Sequence, residues 1–167
     1  MEDFDKAWKT NFRGPLCLMK NAIPYLRQTK GNVVNISSVS AVAANQCNIP
    51  YSVVKAALEH LTRCAALENA PHGVRVNTVS PGSIKTFMAR LPGVSDEEFM
   101  ESLEKIASSK HALGRIGTPE EVAHSIAFLA SDDAEFVTGI TMPVEGGLLL
   151  LSSISDVPKI LDAQKTA

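Results

Sequence analysis

Gly31-Asn-Val-Val-Asn-Ile-Ser-Ser38 is the stretch on which the fold turns. Its centre is β-branched and apolar, which reads as a short buried strand, and it ends in a serine pair just before a small-residue loop. Beyond that loop, a helix is expected from Tyr51 to about Asn69, rich in Ala56, Ala57, Leu58, Leu61, Ala65, Ala66 and Leu67. Pro71-His-Gly73 ends it. Gly73-Val-Arg-Val-Asn-Thr-Val79 then alternates as a second strand and delivers Pro81-Gly82 at its carboxyl end. Strand, helix and strand in that order imply parallel strands with right-handed crossovers. Ligands of open α/β sheets bind in the crevice outside the carboxyl ends of the strands, and Ser38 falls there.

The helix after Ser38 opens with Tyr51-Ser-Val-Val-Lys55, and residues four apart share one helical face. A tyrosine hydroxyl titrates near ~10 in isolation. A neighbouring cation favours the phenolate, so Lys55 is expected to bring Tyr51 toward working pH. Taken alone, the spacing is more simply a tyrosine packed beside a lysine stem on an ordinary helix. Ser38 lies thirteen residues before Tyr51 and Asn11 forty before it, adding a hydroxyl and an amide. Asn11 on its own also reads as a capping or backbone-bonded amide.

Asn11 in Asn-Phe-Arg-Gly14, Ser38 in Asn-Ile-Ser-Ser, Tyr51 and Lys55, and Pro81-Gly82 in Asn-Thr-Val-Ser-Pro-Gly fall in one order and spacing. So do Gly114-Arg-Ile-Gly-Thr-Pro-Glu-Glu-Val-Ala123 and Val137-Thr-Gly-Ile-Thr-Met-Pro-Val-Glu-Gly-Gly147. With these residues the chain resembles the classical short-chain dehydrogenase/reductase family over essentially its whole length. The resemblance implies an NAD(P)-dependent oxidoreductase interconverting a small-molecule carbonyl and an alcohol by hydride transfer. Tyr51 would be the acid in reduction and the base in oxidation, and Ser38 would orient the carbonyl and stabilise the developing oxyanion. Lys55 would favour ionised Tyr51 and bond the ribose hydroxyls, and Asn11, at a helix bend, would hold a proton-relay water. Pro81, Gly82, Ile84 and Thr86 would form the nicotinamide-side loop, with the Ile84 backbone on the carboxamide and the Thr86 hydroxyl on the pyrophosphate. The helices carrying Asn11 and Tyr51 would make a dimer contact, giving a homo-oligomer or an association with a full-length relative.

Two departures qualify this picture. Glu145 stands where the family carries Asp before the final glycine pair. None of the ten glycines forms a Gly-rich strand-to-helix turn, so these residues do not choose between NAD and NADP, and the adenosine-binding half of the family's fold is expected to be missing from this sequence. The expected fold is therefore α/β, a truncated Rossmann-like, doubly wound parallel sheet of the last three family strands with crossover helices. Residues 1–150 would form this catalytic part, and 151–167 a C-terminal tail. Dinucleotide binding by the chain alone is expected to be weak. The alternative is a non-catalytic truncated form acting as a dimerisation or interaction partner. A lyase or epimerase using the same Tyr-Lys pair fits the Pro-Gly spacing and short C-terminal region less well.

Composition excludes several classes. With 45% hydrophobic residues, 20% charged and a net charge of −2, the chain is an ordinary soluble type with no electrostatic footprint for nucleic acid. The first residues carry no basic or apolar run, and Leu148–Leu151 is too short to span a bilayer, so a cytoplasmic, non-membrane setting is expected. Cys17, Cys47 and Cys64 have no metal-ligand spacing and read as buried or free thiols. His60, His72, His111 and His124 lack paired carboxylates and read as solvent or packing residues. No metal site is expected.

Phe4, Ala7, Trp8, Phe12, Leu16, Met19 and Ile23 predict a helix over about 3–28, interrupted at Gly14-Pro15 and kinked or ended near Pro24. A lid is expected at about 83–113, where Ser95-Asp-Glu-Glu98 starts a short helix and Met88, Leu91, Phe99, Met100, Leu103 and Ile106 supply apolar surface. That surface suits an apolar or mixed carbonyl substrate, or simply packing. Thr118-Pro-Glu-Glu121 is a second capping box, opening a helix through Leu129.

Overall fold

The computed structural model describes residues 1–44, 48–88 and 93–151, apart from the side chains of 106 and 108. Cys47, Leu91, the Ile106 side chain and the tail beyond Leu151 thus lie outside the described residues. Three parallel strands, β1 (Asn32–Ile36), β2 (Arg75–Pro81) and β3 (Thr141–Val144), lie in the order β1-β2-β3. Ile36 stands opposite Val79 and Pro81 opposite Val144, so the carboxyl ends of the strands lie side by side. The Ser37 N–H extends the first ladder to the Val79 carbonyl at 2.8 Å.

Helices cover both faces. Met19 and Ile23 of α2 (Gly14–Thr29) and Leu61, Ala65 and Ala66 of α3 (Ile49–Asn69) pack with Val33 and Val76. Strand side chains alternate, so Asn32 and Arg75 point to the other face. There the Arg75 guanidinium donates to the Leu129 and Ser131 carbonyls (2.7 and 3.0 Å), and the Asn32 amide donates to the Ala130 carbonyl (2.9 Å), all at the end of a helix running Pro119–Ala130. The doubly wound parallel sheet expected from the sequence is therefore what forms.

One feature differs. Both crossovers step the sheet in the same direction, yet one helix crosses each face, so the two connections are of opposite hand. The rule of right-handed connections rests on a short strand–helix–strand unit held close to the sheet. Here the second connection first runs out through α4 (Asp96–Ser108), returns at an Ile84–Gly117 bridge, and only then enters α5 (Pro119–Ala130).

The alternation read in β2 is not inside-out: Val76 through Ser80 are all buried, because the strand is central and covered on both faces. Its polar side chains are satisfied internally. The Thr78 hydroxyl donates to Thr62 of α3 at 2.8 Å, the Asn77 amide donates to the Val137 carbonyl at 2.8 Å, and its oxygen accepts from the Ile140 N–H at 3.2 Å. These bonds fix α3 and the approach to β3 against β2.

The N-terminal helix is interrupted once, not twice. After α1 (Glu2–Trp8), residues Lys9–Arg13 are π-helical, with the Gly14 N–H bonded to the Lys9 carbonyl, before α2 resumes. Pro15 explains the break, since it has no N–H for the Asn11 carbonyl at the α spacing and its ring crowds that carbonyl. Pro24 stays inside α2, contrary to the kink or ending expected there. Ile23 and Leu26 beside it are held in the core, and that packing outweighs one missing hydrogen bond. The helix ends at Lys30 in the left-handed conformation (φ 52).

Candidate active site

Ser38 lies two residues beyond the end of β1 and caps the short 3-10 turn Val39–Ala41, its hydroxyl oxygen accepting from the Ser40 N–H at 3.2 Å. The same hydroxyl lies on the Tyr51 side of the turn, where it favours the ionised phenol. Tyr51 stands in the first turn of α3, where Pro50 suits a position whose N–H has no helical partner. One turn on, Lys55 is buried at 8% exposure, its ammonium donating to the Ile36 carbonyl at 2.8 Å and lying 5.4 Å from the Tyr51 ring centroid. Ser37, also buried, donates to the Lys55 carbonyl at 3.3 Å, pinning α3 to the end of β1. Ser38, Tyr51 and Lys55 are thus brought together at the carboxyl end of β1.

The electrostatics differ from the expected pairing. Burial pushes the Tyr51 phenol above its ordinary value, and the Ser38 hydroxyl, which favours the phenolate, opposes this only in part. Burial pushes the Lys55 ammonium down. Lys55 does not bring Tyr51 toward neutrality here, because its charge faces the ring and the Ile36 carbonyl and both groups have lost water.

Asn11 lies within the π-helical segment, which packs on α3. Its side chain donates to the Ala7 carbonyl at 3.3 Å, the backbone-bonded arrangement weighed for it. Pro81 ends β2 beside Val144, and the Gly82 N–H bonds the Val144 carbonyl at 3.0 Å. A side chain at Gly82 would stand 2.9 Å from Glu145 Cα, so only glycine lets this turn approach so closely. Ile84 and Thr86 lie on the loop that follows, tied back by the Gly117 N–H to the Ser83 carbonyl (3.0 Å) and the Lys85 N–H to the Gly117 carbonyl (2.9 Å).

Residues 83–88 and α4 are linked by Lys85–Glu104 at 2.9 Å and by the Phe87 and Phe99 rings, 6.4 Å apart. Ser95 caps α4, accepting from the Glu98 N–H at 3.2 Å. Sequence reasoning missed Ser37 and His111. His111 is 4% exposed and bonded on both ring nitrogens, whereas His60, His72 and His124 are exposed. Its partners, the Ala107 carbonyl four residues back and the Ser83 N–H, are backbone groups, so no pairing of residue types signals them. Cys17 and Cys64 are exposed free thiols. Among the described residues no cluster of three or more His, Cys, Asp or Glu is placed to hold a metal ion, and no helix is long and apolar enough to cross a membrane.

A doubly wound parallel sheet with a serine, a tyrosine and a lysine gathered at its carboxyl edge defines a Rossmann-like α/β protein with a candidate acid–base site. A family model described as enoyl-(acyl carrier protein) reductase matches residues 1–149. A 3-oxoacyl-[acyl-carrier-protein] reductase of Rickettsia conorii is 38% identical over 151 residues, covering 90% of this chain and 60% of that protein. A meso-2,3-butanediol dehydrogenase of Serratia marcescens is 38% identical over 148 residues, covering 88% and 56%. A short-chain dehydrogenase/reductase of unknown function from Caenorhabditis elegans, solved with cofactor, superposes with a TM-score of 0.84 at 31% identity, covering 91% and 58%. The chain belongs to the short-chain dehydrogenase/reductase family, and it spans about 60% of the length of the relatives it matches. Related structures hold NADP in one case (ElxO, TM-score 0.79, 33% identity, covering 90% and 60%) and NADH in another (4-hydroxyisoleucine dehydrogenase, 0.80, 31%, 89% and 60%). NAD and NADP are thus the family's cofactors.

Proposed function

We propose that this chain carries the acid–base and nicotinamide-side machinery of an NAD(P)-dependent oxidoreductase interconverting a small carbonyl and an alcohol. The observation that carries the reading is the gathering of Ser38 and Tyr51 at the end of β1 beside a buried Lys55, whose ammonium reaches the Ile36 carbonyl at 2.8 Å and lies 5.4 Å from the Tyr51 ring centroid. The residues fit the ribose and nicotinamide end of a dinucleotide. Among the described residues the Lys55 ammonium has one acceptor, the Ile36 carbonyl, which leaves N–H donors for ribose hydroxyls at an open strand end. When bound, the cofactor supplies the hydride. Tyr51 gives its proton to the carbonyl oxygen in reduction and takes it back in oxidation. Its raised pKa keeps the phenol protonated, the form a donor needs, while making that proton harder to give up. The Ser38 hydroxyl donates to the same carbonyl oxygen as negative charge grows there. Pro81, Gly82, Ile84 and Thr86 border the nicotinamide, Asn11 positions a relay water beside Lys55, and α4 with residues 83–88 covers the substrate.

None of the ten glycines in these 167 residues forms a Gly-rich turn for a pyrophosphate, and the contacts proposed here are those of the ribose and nicotinamide end alone. Trp8, Leu16 and Leu18 at its N-terminal helices and Val53 and Leu67 of α3 are exposed, which supports association through the helices carrying Asn11 and Tyr51. The test is NADH and NADPH oxidation with a panel of small carbonyls. Tyr51→Phe is expected to lower any turnover by roughly a hundredfold or more, the scale of general acid catalysis. Turnover unchanged in Tyr51→Phe would remove the acid role.

A further inference from the structure

His111 stands between two backbone groups, one an acceptor and one a donor. Its Nδ1 lies 2.6 Å from the Ala107 carbonyl in the last turn of α4, and a carbonyl can only accept. Its Nε2 lies 3.3 Å from the Ser83 backbone nitrogen, whose N–H can only donate. Both bonds form together only when the ring is neutral with its proton on Nδ1. The ring is also wedged in place. A Cβ on Gly82 would stand 3.2 Å from its Nε2, and one on Gly146 would stand 3.4 Å from its Cδ2, so two strand-end turns press on it. Ser83 in turn accepts from the Gly117 N–H at 3.0 Å, and the Gly117 carbonyl accepts from the Lys85 N–H at 2.9 Å, which leaves Ile84 between fixed neighbours.

We propose that His111 is a positioning residue: as the Nδ1–H tautomer it ties the Ser83–Thr86 loop to the C-terminal turn of α4, so that presentation of the Ile84 backbone to a nicotinamide carboxamide depends on where that helix sits. The link to the carboxamide rests on the cofactor reading given under Proposed function. His111 touches neither substrate nor hydride. It acts through the Ser83 amide, coupling the covering helix to the cofactor loop by one imidazole.

The test is NMR on the full chain. Long-range nitrogen–proton correlation of the His111 ring reads the tautomer, amide exchange reads the Ser83 N–H, and shifts at Ile84 and Thr86 on adding millimolar NADH read the loop's contact with cofactor. The parent is expected to show the Nδ1–H tautomer. His111→Asn, which keeps a donor near Nδ1 but loses the acceptor at Nε2, is expected to speed exchange at Ser83 about tenfold, the scale of one hydrogen bond, and to weaken the NADH shifts. His111→Gln, which places an amide oxygen near Nε2, is expected to restore slow exchange. An Nε2–H or doubly protonated ring in the parent, or unchanged Ser83 exchange in His111→Asn, overturns the latch. Faster exchange with unaltered NADH shifts overturns its role in positioning. Absence of NADH shifts in the parent overturns the cofactor reading of the loop, and is distinguishable because exchange is read without NADH.

Discussion

Tyr51 and Tyr25 are the chain's two tyrosines, and this makes the candidate site open to direct titration. Tyr25 is exposed, so Tyr25→Phe leaves the half-buried Tyr51 as the single phenol. Phenolate absorbance in that variant is expected to rise at higher pH than for free tyrosine, and Ser38→Ala is expected to move it higher still by removing the hydroxyl that favours the phenolate. A midpoint at or below the free value would mean that Lys55 couples to the hydroxyl after all. That Ser38, Tyr51 and Lys55 meet at the end of β1 was expected from the strand before Ser38, the four-residue spacing of Tyr51 and Lys55 and the family resemblance, whereas Asn11 is bonded back to the Ala7 carbonyl. The sign of the Tyr51 shift was not legible, since it depends on how much water the fold removes and on where the Lys55 ammonium points. His111 was illegible for a related reason: its partners are main-chain atoms, and every residue has those.

At the scale of elements, Thr118-Pro-Glu-Glu121 was fully readable. The Thr118 hydroxyl accepts from the Glu121 N–H and the Glu121 carboxylate accepts from the Thr118 N–H, as the capping box requires. Thr118→Ala is expected to destabilise the fold by about 1 kcal/mol, measured by denaturant unfolding. Arg115 and the cap hold the Glu121 carboxylate down at about 2. A folded-state pKa below the unfolded one gives stability that is present above the unfolded value, ~4.3, and is lost as pH falls toward the folded one. Thermal melts of the parent and Glu121→Gln should therefore converge as pH is lowered through that window, and a gap that stays constant there would contradict the assignment. The break at Lys9–Arg13 was legible from Gly14-Pro15, but its π-helical form was not. Pro24 misled because the cost of one lost hydrogen bond is local, while the packing of Ile23 and Leu26 that offsets it is tertiary.

For the whole molecule, parallel strands followed from alternating strand and helix signals, and the three-stranded sheet from the family resemblance. The opposite hand of the second crossover did not, because a connection that leaves and returns through α4 is no longer bound by the twist of a short unit. Leu129, fully buried beneath the sheet, joins α5 to the face opposite α3. Leu129→Ala is expected to cost about 3 kcal/mol in denaturant unfolding, and a cost near zero would place α5 elsewhere. Exposed Trp8, Leu18 and Val53 predict that sedimentation finds the chain associated and that Val53→Glu shifts it toward monomer. The central claim concerns the site, and titration of NADH into the purified chain, followed by nicotinamide fluorescence, tests it most directly. The account predicts weak, saturable binding that is lost in Lys55→Ala and kept in Tyr51→Phe. Binding that Lys55→Ala leaves unchanged, or none at all to the folded chain, would contradict it.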